Sequence, residues 1–203
     1  MPDPSTLRFD LPKLDNERTE MLSDEQMKAY ISALDKEHDQ NLASLFRLAL
    51  TTGMRKTALL NLQWDDCDFE NRVILLRGEV AKKGHTEFIP MNDAAFSILN
   101  SIEKTASPYI FPGRDGGPRK EIRRMAQRVK KMAGLPNNFR PLHGLRHAFA
   151  SHLISSGKVS LYELQKLLTH SSPKMTQRYA HLADEALRRA SDVASDIFKK
   201  HDE

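Results

Sequence analysis

Apolar residues recur along most of this chain at the three- and four-residue spacing of a helix face, and one stretch alone switches to the shorter rhythm of paired strands. Met27, Tyr30, Ile31 and Leu34 make a single apolar stripe. Just before it, Ser23-Asp24-Glu25-Gln26 reads as a capping box, so a helix is expected to start at Ser23. Residues 41–50 (NLASLFRLAL) are apolar on most sides, which predicts a central helix. Thr51-Thr52-Gly53 closes it, because glycine suits a left-handed C-terminal cap. A short helix over 56–62 follows.

The strand signal is local. Val73-Ile74-Leu75-Leu76 and Glu87-Phe88-Ile89-Pro90 flank the polar stretch Ala81-Lys82-Lys83-Gly84-His85, which predicts a hairpin. Asn92 can cap a helix bearing Ala95, Phe96, Leu99 and Ile102. A loop rich in proline and glycine leads to a helix over about 119–133, with Ile122, Met125, Ala126, Val129 and Met132 on one face. Arg119, Arg123, Arg124, Arg128, Lys130 and Lys131 fall mostly outside that face. After Pro136 and Pro141, helices are expected near 145–156, 160–169, 173–181 and 183–200. Ser160-x-x-Glu163 is a second capping box, and Pro173 sits where a first-turn proline is tolerated. The last helix is amphipathic through Leu187, Ala190, Val193, Ala194, Ile197 and Phe198. Residues 1–20 carry Pro2, Pro4 and Pro12 without an apolar period and read as a linker or tail. The expected fold is mainly α with a small antiparallel β-sheet (α+β).

Composition narrows the class. The chain has 203 residues, 39% hydrophobic and 29% charged, enough for a substantial core and unlike a disordered or low-complexity chain. No apolar run approaches the roughly 18–20 residues that span a bilayer, and the N-terminus has no apolar signal-peptide segment. The reading is a soluble, cytoplasmic protein without a membrane partner. The single cysteine, Cys67, forbids an internal disulfide and a cysteine-rich zinc site. The net charge is only +4 but unevenly spread. Residues 1–40 hold five basic and ten acidic side chains, whereas 114–131 hold eight basic and two acidic. Such a segment suits a polyanion on one side of the molecule; a solvated basic helix face is the plain alternative.

Four stretches carry candidate chemistry: Thr52-Gly53-Met54-Arg55, Lys82-Lys83-Gly84, His143-Gly144-Leu145-Arg146-His147, and Leu168-Thr169-His170-Ser171-Ser172 followed by Arg178-Tyr179. Each has an ordinary explanation alone. A helix-start arginine is commonly a surface residue, a hairpin lysine is usually solvated, and a tyrosine on an amphipathic helix usually packs half-buried. His143 and His147 stand at i, i+4 as in a zinc helix, but no glutamate lies between them and Arg146 would repel a cation.

Together, and in this order, the stretches resemble the catalytic domain of the tyrosine recombinase (phage integrase) family. The resemblance runs from about Met21 to Leu182, most specifically in LHGLRHAFASHL (142–153) and LLTHSSPKMTQRYAHL (167–182). His170 precedes Tyr179 by nine positions and Arg146 precedes it by 33. The resemblance implies cleavage and rejoining of double-stranded DNA through a 3′-phosphotyrosine link, with no cofactor and no metal. It implies Tyr179 as nucleophile, Arg55 and Arg146 as phosphate clamp and His143 as proton acceptor or orienter. Lys82 would be the general acid, with Lys83 its rival, and His170 a donor to a non-bridging oxygen. Arg119, Lys120, Arg123, Arg124 and Arg128, with Lys83, would then contact flanking DNA. A homo-tetramer on DNA and a monomer in isolation are implied, with the last helix packing either on its own core or on a neighbouring protomer.

Two departures stand out. The family usually places an acidic residue three positions after the first arginine, and here Ala58 stands there. Most members also carry a helical DNA-binding domain ahead of the catalytic one, whereas here a tail (1–20) precedes a catalytic domain (21–203); a fragment or an unusually short member is expected, and the linker-like start favours the fragment. Alternatives are a DNA-binding module of the same fold with impaired chemistry, a type IB topoisomerase-like nicking and closing enzyme, and a helical protein–protein adaptor.

Overall fold

Helix α2 (Gln40–Thr52) takes the centre because its sequence leaves almost no polar face: Leu45, Phe46, Leu48 and Ala49 are all completely buried. The computed structural model describes residues 22–78 and 86–199, without the side chains of 190 and 192–199. The tail at 1–20 and the hairpin turn bearing Lys82 and Lys83 lie outside the described residues. Around α2 pack α1 (Asp24–Asp35), α4 (Asp93–Asn100) and α6 (Pro141–Ser155). Helix α3 (Lys56–Leu60) follows α2 directly, and α5 (Arg123–Met132) lies against α1 and α6. Helices α7 (Leu161–Leu167), α8 (Lys174–Gln177) and α9 (Ala180–Lys199) close the other side of α6. Each fully buried leucine or phenylalanine in this centre contributes about 1.5–3 kcal/mol.

Both expected capping boxes form. Ser23 Oγ accepts from the Gln26 N–H while Gln26 Oε1 accepts from the Ser23 N–H, and Ser160 and Glu163 repeat the pattern at α7. Gly53 ends α2 at φ 63°, and a Cβ there would lie 2.4 Å from the Phe149 ring, so glycine is needed for both conformation and space.

Strands β2 (Val73–Leu76) and β3 (Glu87–Pro90) pair antiparallel as expected, Ile74 opposite Ile89 and Leu76 opposite Glu87. A third strand, β1 (Cys67–Asp68), pairs with β2 and was not expected. Two residues are too few to show alternation.

Several boundaries differ from the sequence reading. The basic helix begins at Arg123 rather than near 119, because Glu121 turns its carboxylate back onto the Arg123 N–H and Ile122 has left helical geometry. Lys130, expected outside the apolar face, is 6% exposed, its ammonium donating to the carbonyls of Asn137 and Phe139. Met132 and Ile31, assigned to apolar stripes, are exposed. Helix α6 starts at Pro141, whose fixed φ suits a first turn. The segment read as a helix to 181 breaks at Arg178-Tyr179, between α8 and α9. Leu182 and Ala186 at the start of α9 are buried, and that helix packs on α6 of its own chain.

Candidate active site

Three of the four stretches, those bearing Arg55, His143–His147 and Leu168–Tyr179, meet where the C-terminal ends of α2 and α7 approach the first turns of α6. Arg55 stands at the start of α3, two residues past the Gly53 cap. Its Nη1 donates to Thr169 Oγ1 (2.7 Å) and its Nη2 to the Thr169 carbonyl (2.8 Å). Arg146, on the first half of α6, donates from Nη1 to the Gly53 carbonyl and from Nη2 to the Leu168 carbonyl, both at 2.6 Å. Consecutive residues, Leu168 and Thr169, thus hold both guanidinium groups. Burial and the neighbouring Arg55 push Arg146 down to about 9; two carbonyl acceptors and the high intrinsic basicity of the group keep it charged at neutral pH. Burial also lowers Arg55.

His143, His147 and Tyr179 form a chain. Tyr179 Oη lies 2.6 Å from His147 Nδ1, and His147 Nε2 lies 2.9 Å from His143 Nε2. The two imidazoles face each other edge to face with centroids 4.4 Å apart, an arrangement that uses nitrogens a shared metal would require. Among the described residues, no group of three His, Cys, Asp or Glu could hold a metal ion. Tyr179 is 2% exposed, its ring packed with Ala150, Ile154, Leu164, Leu168 and Leu182. Burial pushes its hydroxyl up to about 12, against the pull of Arg178 and Arg146. His147 is held down to about 3, first by burial and then by His143 and three arginines. Both groups are neutral at rest.

His170, 8% exposed, places Nδ1 2.7 Å from Thr176 Oγ1 and is likewise lowered to about 3 by burial and the arginines. Arg55, His143, Arg146, His147, His170 and Tyr179 all line one cavity of about 700 Å³, together with Arg123, Arg140, Arg178 and Lys56. Among the described residues, no carboxylate lines it. The Nε of Arg178 is buried without a hydrogen-bond partner among the described residues. Such a cavity fits a phosphodiester: anionic, tetrahedral and rich in acceptors.

The other expected positions divide. Arg123 reaches this cavity, whereas Arg119, Lys120, Arg124 and Arg128 line a neighbouring one of about 620 Å³ that also contains Asp39, Asp115 and Glu121. Arg128 is engaged, its Nη2 and Nε donating to the buried Glu37 carboxylate at 2.8 and 3.3 Å. Lys82 and Lys83 lie outside the described residues.

Sequence reasoning gave no role to His147, Thr169, Arg178 or Glu87. His147 was in view as the fourth residue after His143, but its contact with Tyr179 spans 32 residues and is created by tertiary packing. Ala58 is buried in the main core. The carboxylate whose charge acts on both Arg55 and Arg146 is Glu87 of β3.

Residues 20–186 match the phage integrase family. The tyrosine recombinase XerC of Xanthomonas campestris pv. campestris (strain B100) is 32% identical over 157 residues, covering 74% of this chain and 47% of that protein. XerD of Vibrio vulnificus (strain YJ016), also a tyrosine recombinase, is 30% identical over 200 residues, 92% of this chain and 64% of that one. The chain therefore spans between about half and two thirds of these relatives' length. In three dimensions it is similar to the Tn1549 transposon integrase in complex with circular intermediate DNA, with a TM-score of 0.72 at 22% identity, covering 89% of this chain and 68% of that one.

Proposed function

This chain belongs to the phage integrase family, and from that premise we propose that it is the catalytic unit of a tyrosine-type site-specific recombinase. The observation that carries this reading is the pinning of Arg55 and Arg146 by adjacent residues on the wall of the cavity that Tyr179 lines. Two guanidinium groups held in place before substrate arrives can take the non-bridging oxygens of one phosphate. One such preorganised contact is typically worth about 3–4 kcal/mol, or 10²–10³ in rate.

Cleavage proceeds by attack of Tyr179 Oη on phosphorus. The O–P bond forms on the 3′ side and the P–O5′ bond breaks, so the phosphodiester energy is kept in a phosphotyrosine that a 5′-hydroxyl can later attack. The tyrosyl proton goes to His147 Nδ1, the only nitrogen base within hydrogen-bond distance of it among the described residues. With the phenol donating to Nδ1, the neutral His147 carries its proton on Nε2 and donates it to His143 Nε2. His143 thus acts one step removed from the hydroxyl, behind His147. Burial is the main reason His147 stays unprotonated, and His143 and the arginines add to it; an incoming phosphate offsets the arginine share, so the base strengthens when its substrate is bound. His170, with Nδ1 engaged by Thr176, has Nε2 to donate to a non-bridging oxygen. Lys82 protonates the leaving 5′-oxygen.

Arg119, Lys120, Arg123 and Arg124 lie along phosphates beside the cut and contribute affinity rather than sequence choice. The Tn1549 integrase, whose fold is similar, is seen with DNA. The assembly on DNA is a homo-tetramer, the isolated chain a monomer, and the compartment the cytoplasm; among the described residues no helix is long and apolar enough to cross a membrane.

The test uses a library of randomised duplexes, each nicked a few bases from the candidate cut so that the short product is lost and the covalent complex accumulates. Wild type is expected to form a denaturant-resistant DNA adduct that Tyr179→Phe does not. Binding without adduct in the wild type leaves the alternative of a DNA-binding module with impaired chemistry.

A further inference from the structure

We propose that Thr169 is a positioning residue for Arg55, held in an unfavourable backbone conformation so that its hydroxyl and carbonyl grip the guanidinium together. The inference rests on the reading of Arg55 as a phosphate contact. It begins with how α7 ends. The His170 N–H donates to the Gln165 carbonyl and the Thr169 N–H to the Lys166 carbonyl, at 3.0 and 2.9 Å. Those two bonds define a helix stop whose first residue beyond the cap adopts left-handed geometry and is ordinarily glycine. Here that residue is threonine, at φ 47°. A branched β-carbon disfavours this region more than almost any other side chain, and such residues collect where function over-determines the backbone.

The hydroxyl supplies the reason for keeping it. Glycine could offer Arg55 Nη2 the same carbonyl, but not the second acceptor at 2.7 Å from Nη1. With one bond the guanidinium can rotate about the contact; with two, from Nη1 and Nη2, its plane is fixed. Thr169 is itself buried. The residue before it holds Arg146 and the residue after it is His170, so the same turn sets three of the groups on the cavity wall. Burial and repulsion between cations would otherwise favour an Arg55 turned toward water.

Three variants separate the contributions: Thr169→Gly relaxes the backbone and deletes the hydroxyl, Thr169→Ala deletes the hydroxyl and the γ-methyl while keeping the β-carbon, and Thr169→Ser restores an acceptor. Thermal unfolding is expected to show Thr169→Gly at least as stable as wild type. Single-turnover adduct formation on the best sequence from the nicked-duplex library should fall by roughly 10- to 100-fold in the Gly and Ala variants. DNA affinity should change by less than about threefold, and Ser should recover most of the rate. A second readout needs no DNA: nitrogen-15 NMR of the guanidinium should show Arg55 Nη protons protected in wild type and Thr169→Ser and averaged in Thr169→Gly. Equal protection in Gly and Ser, or a Gly variant that cleaves like wild type, overturns the inference. Absence of any adduct in wild type, with the NMR pattern intact, overturns the strand-transfer reading and leaves the positioning of Arg55 standing.

Discussion

Replacing His147 by leucine removes the one side chain that bonds both Tyr179 and His143. The side chain is almost wholly buried, and leucine is close to it in volume, so the cost comes from polar groups losing partners rather than from a cavity. Tyr179 Oη then loses the acceptor it has among the described residues, a penalty of about 1–3 kcal/mol. For a chain of this size that lowers the unfolding temperature by about 2–4 °C per kcal/mol. Tyr179→Phe alone removes the hydroxyl and leaves His147 Nδ1 unmatched. In the double variant neither partner is orphaned, and the loss of the bond to His143 is common to both arms containing His147→Leu, so it cancels. Urea unfolding of the four proteins should give a coupling of about 1–2 kcal/mol, well above the roughly 0.3–0.5 kcal/mol scatter of independent sites. Additive costs would refute the 2.6 Å contact as an energetic interaction, and with it the passage of the tyrosyl proton to His147.

Glu37→Gln should cost about 1–3 kcal/mol, because the buried carboxylate accepts two bonds from Arg128 and ties α5 to α1. Arg128 holds that carboxyl below the ordinary range. Its contribution is therefore complete above about pH 4.3 and is lost as pH falls through the lower folded value, so wild type should lose more urea stability below pH 4 than the variant does. His147 and His170, both held down to about 3, carry the same sign at higher pH. The unfolded chain protonates them first, stability declines as pH drops below about 6.5, and His170→Asn should flatten that slope. On DNA, Lys120→Ala and Arg124→Ala should each reduce the salt slope of binding by roughly one phosphate contact; Arg128→Ala should lower stability and leave the slope nearly unchanged. A wild-type slope near zero between low and moderate salt would remove the basic segment from the DNA interface.

What the sequence disclosed and what it hid follow from the range of the interactions. Capping boxes at Ser23 and Ser160 act within one turn, as does the glycine stop at Gly53, and all three were legible. So were β2 and β3, two short runs on either side of a polar, glycine-containing stretch, although Phe88 of β3 faces solvent. Lys130 misled because its charge suggested solvent, whereas its long apolar stem can cross the core edge and reach two carbonyls. Arg128 looked like a free cation because its partner, Glu37, is 91 residues away. At the site, the order of Arg55, His143, Arg146, His170 and Tyr179 pointed to one cavity, since motif spacing survives folding. His147 and Thr169 were hidden for opposite reasons. The first is defined by a contact across 32 residues, the second by a backbone angle that no threonine advertises.

The most direct measurement is identification of the atom that carries DNA after cleavage. Protein trapped on nicked duplex, digested with nuclease and trypsin, should yield the peptide spanning 179–188 with a nucleotide joined to Tyr179 through its 3′-phosphate. Attachment at any other residue, or through a 5′-phosphate, would contradict the convergence of Arg55, Arg146, His147 and Tyr179 on one linkage.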